Sequence, residues 1–162
     1  MPILEGTNNA AGLRFAIVVA RFNDFVTDRL LTGAHEALTA AGVASEHVMT
    51  LRVPGSFEIP LAAQRAAETG QFDGVVCLGC LIRGATPHFE YISSAVAHGL
   101  THAAAATGVP MAFGVLTTNS AEEALERAQP GSGNKGWEAA MAAIEMATLL
   151  ARLDRITSRT SA

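Results

Sequence analysis

Cysteine is scarce, with only Cys77 and Cys80 in 162 residues. Two thiols cannot build the disulfide framework of a small secreted domain, so this chain must hold itself together by burial. Charge is scarce too, at 16%, and Asp and Glu (15) outnumber Lys and Arg (11) for a net charge of −4. That balance lacks the broad basic field on which nucleic-acid binding rests. Long apolar runs are missing as well. The purely apolar run from Phe15 to Ala20 stops at Arg21, far short of the ~18 apolar residues of a membrane span. No basic stretch precedes it, so a secretory signal is not expected. These absences read as a reduced, cytoplasmic protein that meets neither membrane nor nucleic acid.

What is present is an apolar surplus. Hydrophobic residues make up 49% of the chain and mean hydropathy is +0.28, values that argue against disorder. A domain of this length buries roughly two-thirds of the surface its unfolded chain exposes. Part of the surplus is expected to face other subunits. The organisation reads as an arm over residues 1–12, a single domain over 13–156 and a tail over 157–162.

Four short apolar runs read as strands: RFAIVVA at 14–20, whose near-continuous apolar run marks a strand covered on both faces, HVMTLRV at 47–53, DGVVCLG at 73–79 and VPMAFGVL at 109–116. Between them, apolar residues at helical spacing predict helices over 24–41, 57–69 and 88–107, with Gly42, Gly70 and Gly108 as stops. Ser120 to Glu123 fits a capping box for a short helix ending at Ala128, and a last helix is expected from Trp137 to about Leu153. Strict strand–helix alternation predicts an α/β three-layer sandwich, a four-stranded parallel sheet with helices on both faces. Ligands in such sheets sit beyond the carboxyl ends of the strands. The search for chemistry therefore narrows to residues 21–23, 54–58, 80–88 and 117–119.

Several motifs dissolve on inspection. Cys77 and Cys80 match C-x-x-C, but residues three apart on a strand point to opposite faces, about 10 Å apart, beyond disulfide reach. They read as packing residues, with only Cys80 near enough to the strand end to touch a ligand. Gly131 to Gly136 matches G-x-G-x-x-G by letter but follows a helix rather than the first strand, so it is no dinucleotide fingerprint. His98 and His102 lack a third metal ligand.

Other residues keep their interest. His88 opens a helix just beyond the third strand, where the positive end of the helix dipole favours an uncharged imidazole, the form that accepts a proton. Arg83-Gly84-Ala85-Thr86 feeds the same helix N-terminus, which makes it either an anion-binding turn or an ordinary strand-to-helix connection. Phe22 and Phe57 follow strand ends, where a ring stacks on a planar heterocycle or packs in the core. Glu58 stands beside Phe57. Phe113 reads as core, and Arg127 and Lys135 as solvated cations flanking the glycine loop.

At this point the letters become specific. Arg21-Phe22-Asn23, Val53-Pro54-Gly55-Ser56-Phe57-Glu58-Ile59-Pro60, Ile82-Arg83-Gly84-Ala85-Thr86-Pro87-His88-Phe89, Gly114-Val115-Leu116-Thr117-Thr118, Glu126-Arg127-Ala128 and Asn134-Lys135-Gly136 occur in that order. Over roughly residues 12–155 the chain resembles the 6,7-dimethyl-8-ribityllumazine synthase family of riboflavin biosynthesis.

The resemblance implies a flavodoxin-like sheet. It also implies condensation of 5-amino-6-(D-ribitylamino)uracil with 3,4-dihydroxy-2-butanone 4-phosphate, releasing phosphate and water without metal or organic cofactor. It assigns Phe22 to stacking on the pyrimidine, Ser56, Phe57 and Glu58 to the ribityl chain and ring edge, and Cys80, Leu81 and Ile82 to the pocket lining. Gly84, Ala85 and Thr86 take the phosphate with Arg127, His88 shuttles protons, and Lys135 has a supporting role. Phe113 closes the pocket from a neighbouring subunit, and the N-terminal arm is expected to join a neighbour.

Cys80 and Ser56 stand where the family pattern leads one to expect Thr and Ala. The short loop at 129–134 goes with homopentamers and with sixty-subunit icosahedral shells alike, and such a shell can enclose riboflavin synthase. Two rival readings fit the residues less well. A storage module that binds flavin or lumazine would not need both His88 and the phosphate turn. An electron carrier would need a Ser/Thr-rich loop after the first strand.

Overall fold

The computed structural model describes residues 1–161. Four apolar segments form β1 (Phe15–Ala20), β2 (Val48–Val53), β3 (Gly74–Ile82) and β4 (Met111–Thr118), all parallel in the order β2-β1-β3-β4. Every residue of β1 is buried, because the pleat sends alternate side chains into two separate cores. Phe15, Ile17 and Val19 enter one with Val76, Leu78 and Cys80 of β3; Ala16, Val18 and Ala20 enter the other with Val75, Cys77 and Leu81.

Five helices cover these faces: α1 (Asp24–Ala40), α2 (Ile59–Glu68), α3 (His88–Thr107), α4 (Ala121–Arg127) and α5 (Lys135–Thr160). Residues of α1, α4 and α5 complete the first core, and residues of α2 and α3 the second. The expected three-layer α/β sandwich is therefore the observed fold. Cys77 and Cys80 fall into opposite cores as free thiols.

Local chemistry explains the element ends. Gly42, Gly70 and Gly108 follow α1, α2 and α3 with φ of 88°, 71° and 72°, a backbone region open to glycine at little cost. Ser120 Oγ accepts the Glu123 amide at 3.2 Å, while the Glu123 carboxylate accepts the Asn119 amide at 2.9 Å. The box thus closes one residue earlier than the sequence pattern suggested.

One expectation changes. Helix α5 runs on to Thr160 instead of ending near Leu153. No Gly or Pro follows Leu153 within it, and Thr157, Ser158 and Thr160 donate their hydroxyls to carbonyls one turn back. Of the anticipated tail, Ala162 lies outside the described residues. Over residues 5–10 the N-terminal arm is hydrogen-bonded to its own chain. Thr7 donates its amide to Thr148 Oγ1 at 2.8 Å, Arg152 Nη1 donates to the Glu5 carbonyl at 2.6 Å, and the Ala10 amide donates to the Ala41 carbonyl at 2.9 Å. Met1 and Ile3, the arm's large apolar side chains nearest the end, are exposed. Among the described residues no helix is long and apolar enough to cross a membrane.

Candidate active site

In this strand order, β1 and β3 connect onward to opposite sides, which opens a crevice beyond their carboxyl ends. A cavity of about 730 Å³ occupies that position. Three segments build it. The turn after β1 contributes Phe22, the turn after β2 contributes Gly55, Ser56, Phe57 and Glu58, and the end of β3 with the start of α3 contributes Leu81, Ile82, Gly84, Thr86, His88, Phe89, Tyr91 and Ile92.

The walls are mostly apolar with a few polar groups. Ser56 is buried, whereas Phe22, Phe57 and Tyr91 remain 68%, 64% and 73% exposed while lining the cavity. Rings held in the open beside a concave site offer flat faces to a planar ligand or to another protein surface. The turn into α3 adds a different chemistry. Among the described residues, the amides of Gly84, Ala85 and Thr86 have no acceptor. Free backbone N–H groups at a helix N-terminus form an anion-binding nest.

Arg83 holds this turn in place. Its amide donates to the Thr118 carbonyl at 2.8 Å, Nε donates to Asn119 Oδ1 at 3.1 Å and Nη1 donates to Glu90 Oε1 at 3.0 Å. The guanidinium also lies 4.7 Å from the centre of the Phe89 ring, within cation–π range. These contacts tie the ends of β3 and β4 to the first turn of α3.

The anticipated site residues divide into groups. Phe22, Ser56, Phe57, Glu58, Leu81, Ile82, Gly84, Thr86 and His88 share the cavity. Ala85 is exposed on the same turn without lining it. Cys80 contributes its carbonyl beneath the crevice, but its side chain points into the α1–α5 core. Burial pushes the Cys80 thiol up from 9.0 to about 11 and the Cys77 thiol to about 12.

Phe113, Arg127 and Lys135 are elsewhere. They line a second recess of about 400 Å³ at the free edge of β4, with Glu138 and Ala139 of α5, and it shares no residue with the first. There Lys135 Nζ pairs with Glu138 Oε2 at 2.8 Å, and Arg127 donates to the Glu123 carbonyl at 3.1 Å. Phe113, expected in the core or against a neighbour, is half exposed. Among the described residues, no group of three or more His, Cys, Asp or Glu side chains could hold a metal ion.

Sequence reasoning missed Tyr91 and Ile92 as lining residues, although their spacing three and four beyond His88 puts them on its helix face. It also missed Asn134 as the keystone of the glycine-rich loop. Buried Asn134 accepts the Gly136 and Trp137 amides through Oδ1 and donates through Nδ2 to the Arg29 and Ala128 carbonyls.

With the geometry in hand, similarity to known proteins becomes interpretable. A family model described as 6,7-dimethyl-8-ribityllumazine synthase matches residues 12–151. A protein of that name from Desulfatibacillum aliphaticivorans is 51% identical over 147 residues, covering 91% of this chain and 95% of the relative. Another of that name from Syntrophus aciditrophicus is 53% identical over 151 residues, covering 93% and 98%.

Proposed function

This chain belongs to the 6,7-dimethyl-8-ribityllumazine synthase family, transferases of riboflavin biosynthesis, and from that premise we propose that it condenses 5-amino-6-(D-ribitylamino)uracil with 3,4-dihydroxy-2-butanone 4-phosphate. The observation that carries the reading is the crevice itself. One cavity gathers an aromatic face and a carboxylate on one side and a free-amide turn with a histidine on the other.

In this reading, Phe22 stacks on the pyrimidine. The Ser56–Glu58 turn takes the ring edge and ribityl chain, and Leu81 and Ile82 form the apolar floor. The amides of Gly84, Ala85 and Thr86 take the phosphate. The pyrimidine amine attacks the ketone carbonyl and water leaves as the imine forms. Phosphate is then eliminated, and ring closure onto the second carbonyl expels a second water. Each step moves a proton, and the His88 imidazole on the cavity wall carries it. Holding both substrates in register against the phosphate turn supplies the remaining advantage.

One cavity does not contain every assigned residue. We assign Phe113, Arg127 and Lys135 to the neighbouring site in a homo-oligomer, with one copy's β4 edge closing the next copy's crevice. The exposed rings of Phe22, Phe57, Tyr91 and Phe113 support such a closure. The smallest assembly in this reading is a pentamer, working in the cytoplasm.

The test mixes purified protein with the two substrates and follows lumazine and inorganic phosphate together. Equal amounts of both, formed faster than without protein, support the synthase. Bound pyrimidine or lumazine without turnover replaces it with a storage module.

A further inference from the structure

Asn23 is the one non-glycine residue with positive φ among the described residues, at φ 62° and ψ 43°. Asparagine tolerates this left-handed conformation better than most side chains, but it still carries strain. Here the side chain has a specific use. The ladder between β1 and β3 ends at Val19 and Leu78, while β3 continues to Ile82. Asn23 Nδ2 reaches across that opening and donates to the Cys80 carbonyl at 2.9 Å. An amide side chain thus takes an acceptor on β3 beyond the point where β1 has left the sheet.

The same turn is pinned on its other side. The Arg21 amide donates to the Val53 carbonyl at 2.8 Å and the Phe22 amide to the Pro54 carbonyl at 3.0 Å. Phe22 is thus anchored through its own amide on one side and followed by the Asn23 clamp on the other. Its ring is 68% exposed, so packing within the chain does little to set where it points; the backbone does.

We infer that Asn23 is a positioning residue: its amide clamp across the β1–β3 opening, set by its left-handed backbone, holds the Phe22 ring at the cavity. The inference rests on the proposed pyrimidine role of Phe22. Asn23 acts through that ring, so its influence falls on the pyrimidine substrate and spares the phosphorylated one.

A double-mutant cycle tests this, using full-length protein and both substrates. Asn23→Asp keeps the size of the side chain but cannot donate to the carbonyl. Asn23→Gly keeps the left-handed backbone without the clamp and serves where the aspartate variant fails to fold. Loss of a stacking ring is worth roughly tenfold or more in binding, so Phe22→Ala should raise the pyrimidine KM by about that factor and each Asn23 variant by about fivefold. The KM of the phosphorylated substrate should stay within about twofold of wild type. In the Phe22→Ala background the Asn23 substitutions should add less than about twofold, because the group they position is gone.

Fully additive penalties, or equal rises in both KM values, would overturn the inference while leaving the synthase reading intact. A wild-type protein that neither forms nor binds lumazine would overturn both.

Discussion

Gly79 leaves room for Ser56: a β-carbon built on Gly79 lies 2.5 Å from Ser56 Oγ and 3.2 Å from Ile59 Cδ1. The glycine faces the α2 side of the sheet under the turn that carries Phe57 and Glu58, so the closeness of that turn to β3 is a property of the missing side chain. Gly79→Ala should overpack this contact and cost about 1–3 kcal/mol of stability. It should also lift the Ser56–Glu58 wall of the cavity. Denaturant unfolding reads the first effect, and a raised pyrimidine KM reads the second.

His88 should matter for rate more than for binding. Removing a positioned proton carrier costs about a hundredfold or more in turnover, so His88→Ala should lower kcat by about that much and leave both KM values near wild type. His88 is exposed at the start of α3, which keeps the variant folded. Full activity in this variant would remove the assigned role.

Arg127 and His88 open onto different recesses of one chain, so two inactive variants should rescue each other. Mixed and reassembled, Arg127→Ala and His88→Ala copies place an intact pair across about a quarter of random interfaces. Activity returning toward that fraction supports a site shared between copies. Mixtures no more active than their components place both residues' work within one chain.

Asn134 should be a stability residue. It is buried, and its amide answers two backbone donors and two backbone carbonyls around the start of α5. Losing a helix cap and leaving buried backbone groups unpaired costs about 2–3 kcal/mol. Asn134→Ala should therefore shift the unfolding midpoint down, with activity per folded molecule close to wild type.

The cysteines set an alkaline limit. Burial raises Cys80 from 9.0 to about 11 and Cys77 to about 12. Since the folded values lie above the unfolded one, the stability linked to these neutral thiols is complete below pH 9. It is lost as pH climbs from 9 toward 11–12, where the unfolded chain ionises first. Unfolding midpoints across pH 8–11 should fall above pH 9 in wild type and fall less in a Cys77→Ala, Cys80→Ala double variant. A thiol reagent at pH 8 should label the native protein slowly and the unfolded chain fast.

Much of this was legible along the chain. Continuous apolar runs announce strands buried on both faces, and β1 is buried at all its positions. Glycines 42, 70 and 108 mark helix ends because the turn each makes needs a left-handed residue. The stretches after β1, β2 and β3 that carry the family motifs line one cavity, since such segments converge where a parallel sheet opens. The end of α5 was less legible. A polar stretch without Gly or Pro continues a helix or frays from it with equal ease, and backbone-directed hydroxyls decide the matter.

By itself, then, the sequence determined the layers, the sheet and the crevice, because periodicity and breaker residues are local and need no partner. Three things waited for the tertiary structure: which face Cys80 turns to, that Arg127 and Phe113 sit away from His88, and that Asn23 spans the gap between β1 and β3. Each depends on how segments distant in the sequence are arranged in space, as with Asn23 and Cys80, 57 residues apart, and no local spacing encodes that arrangement.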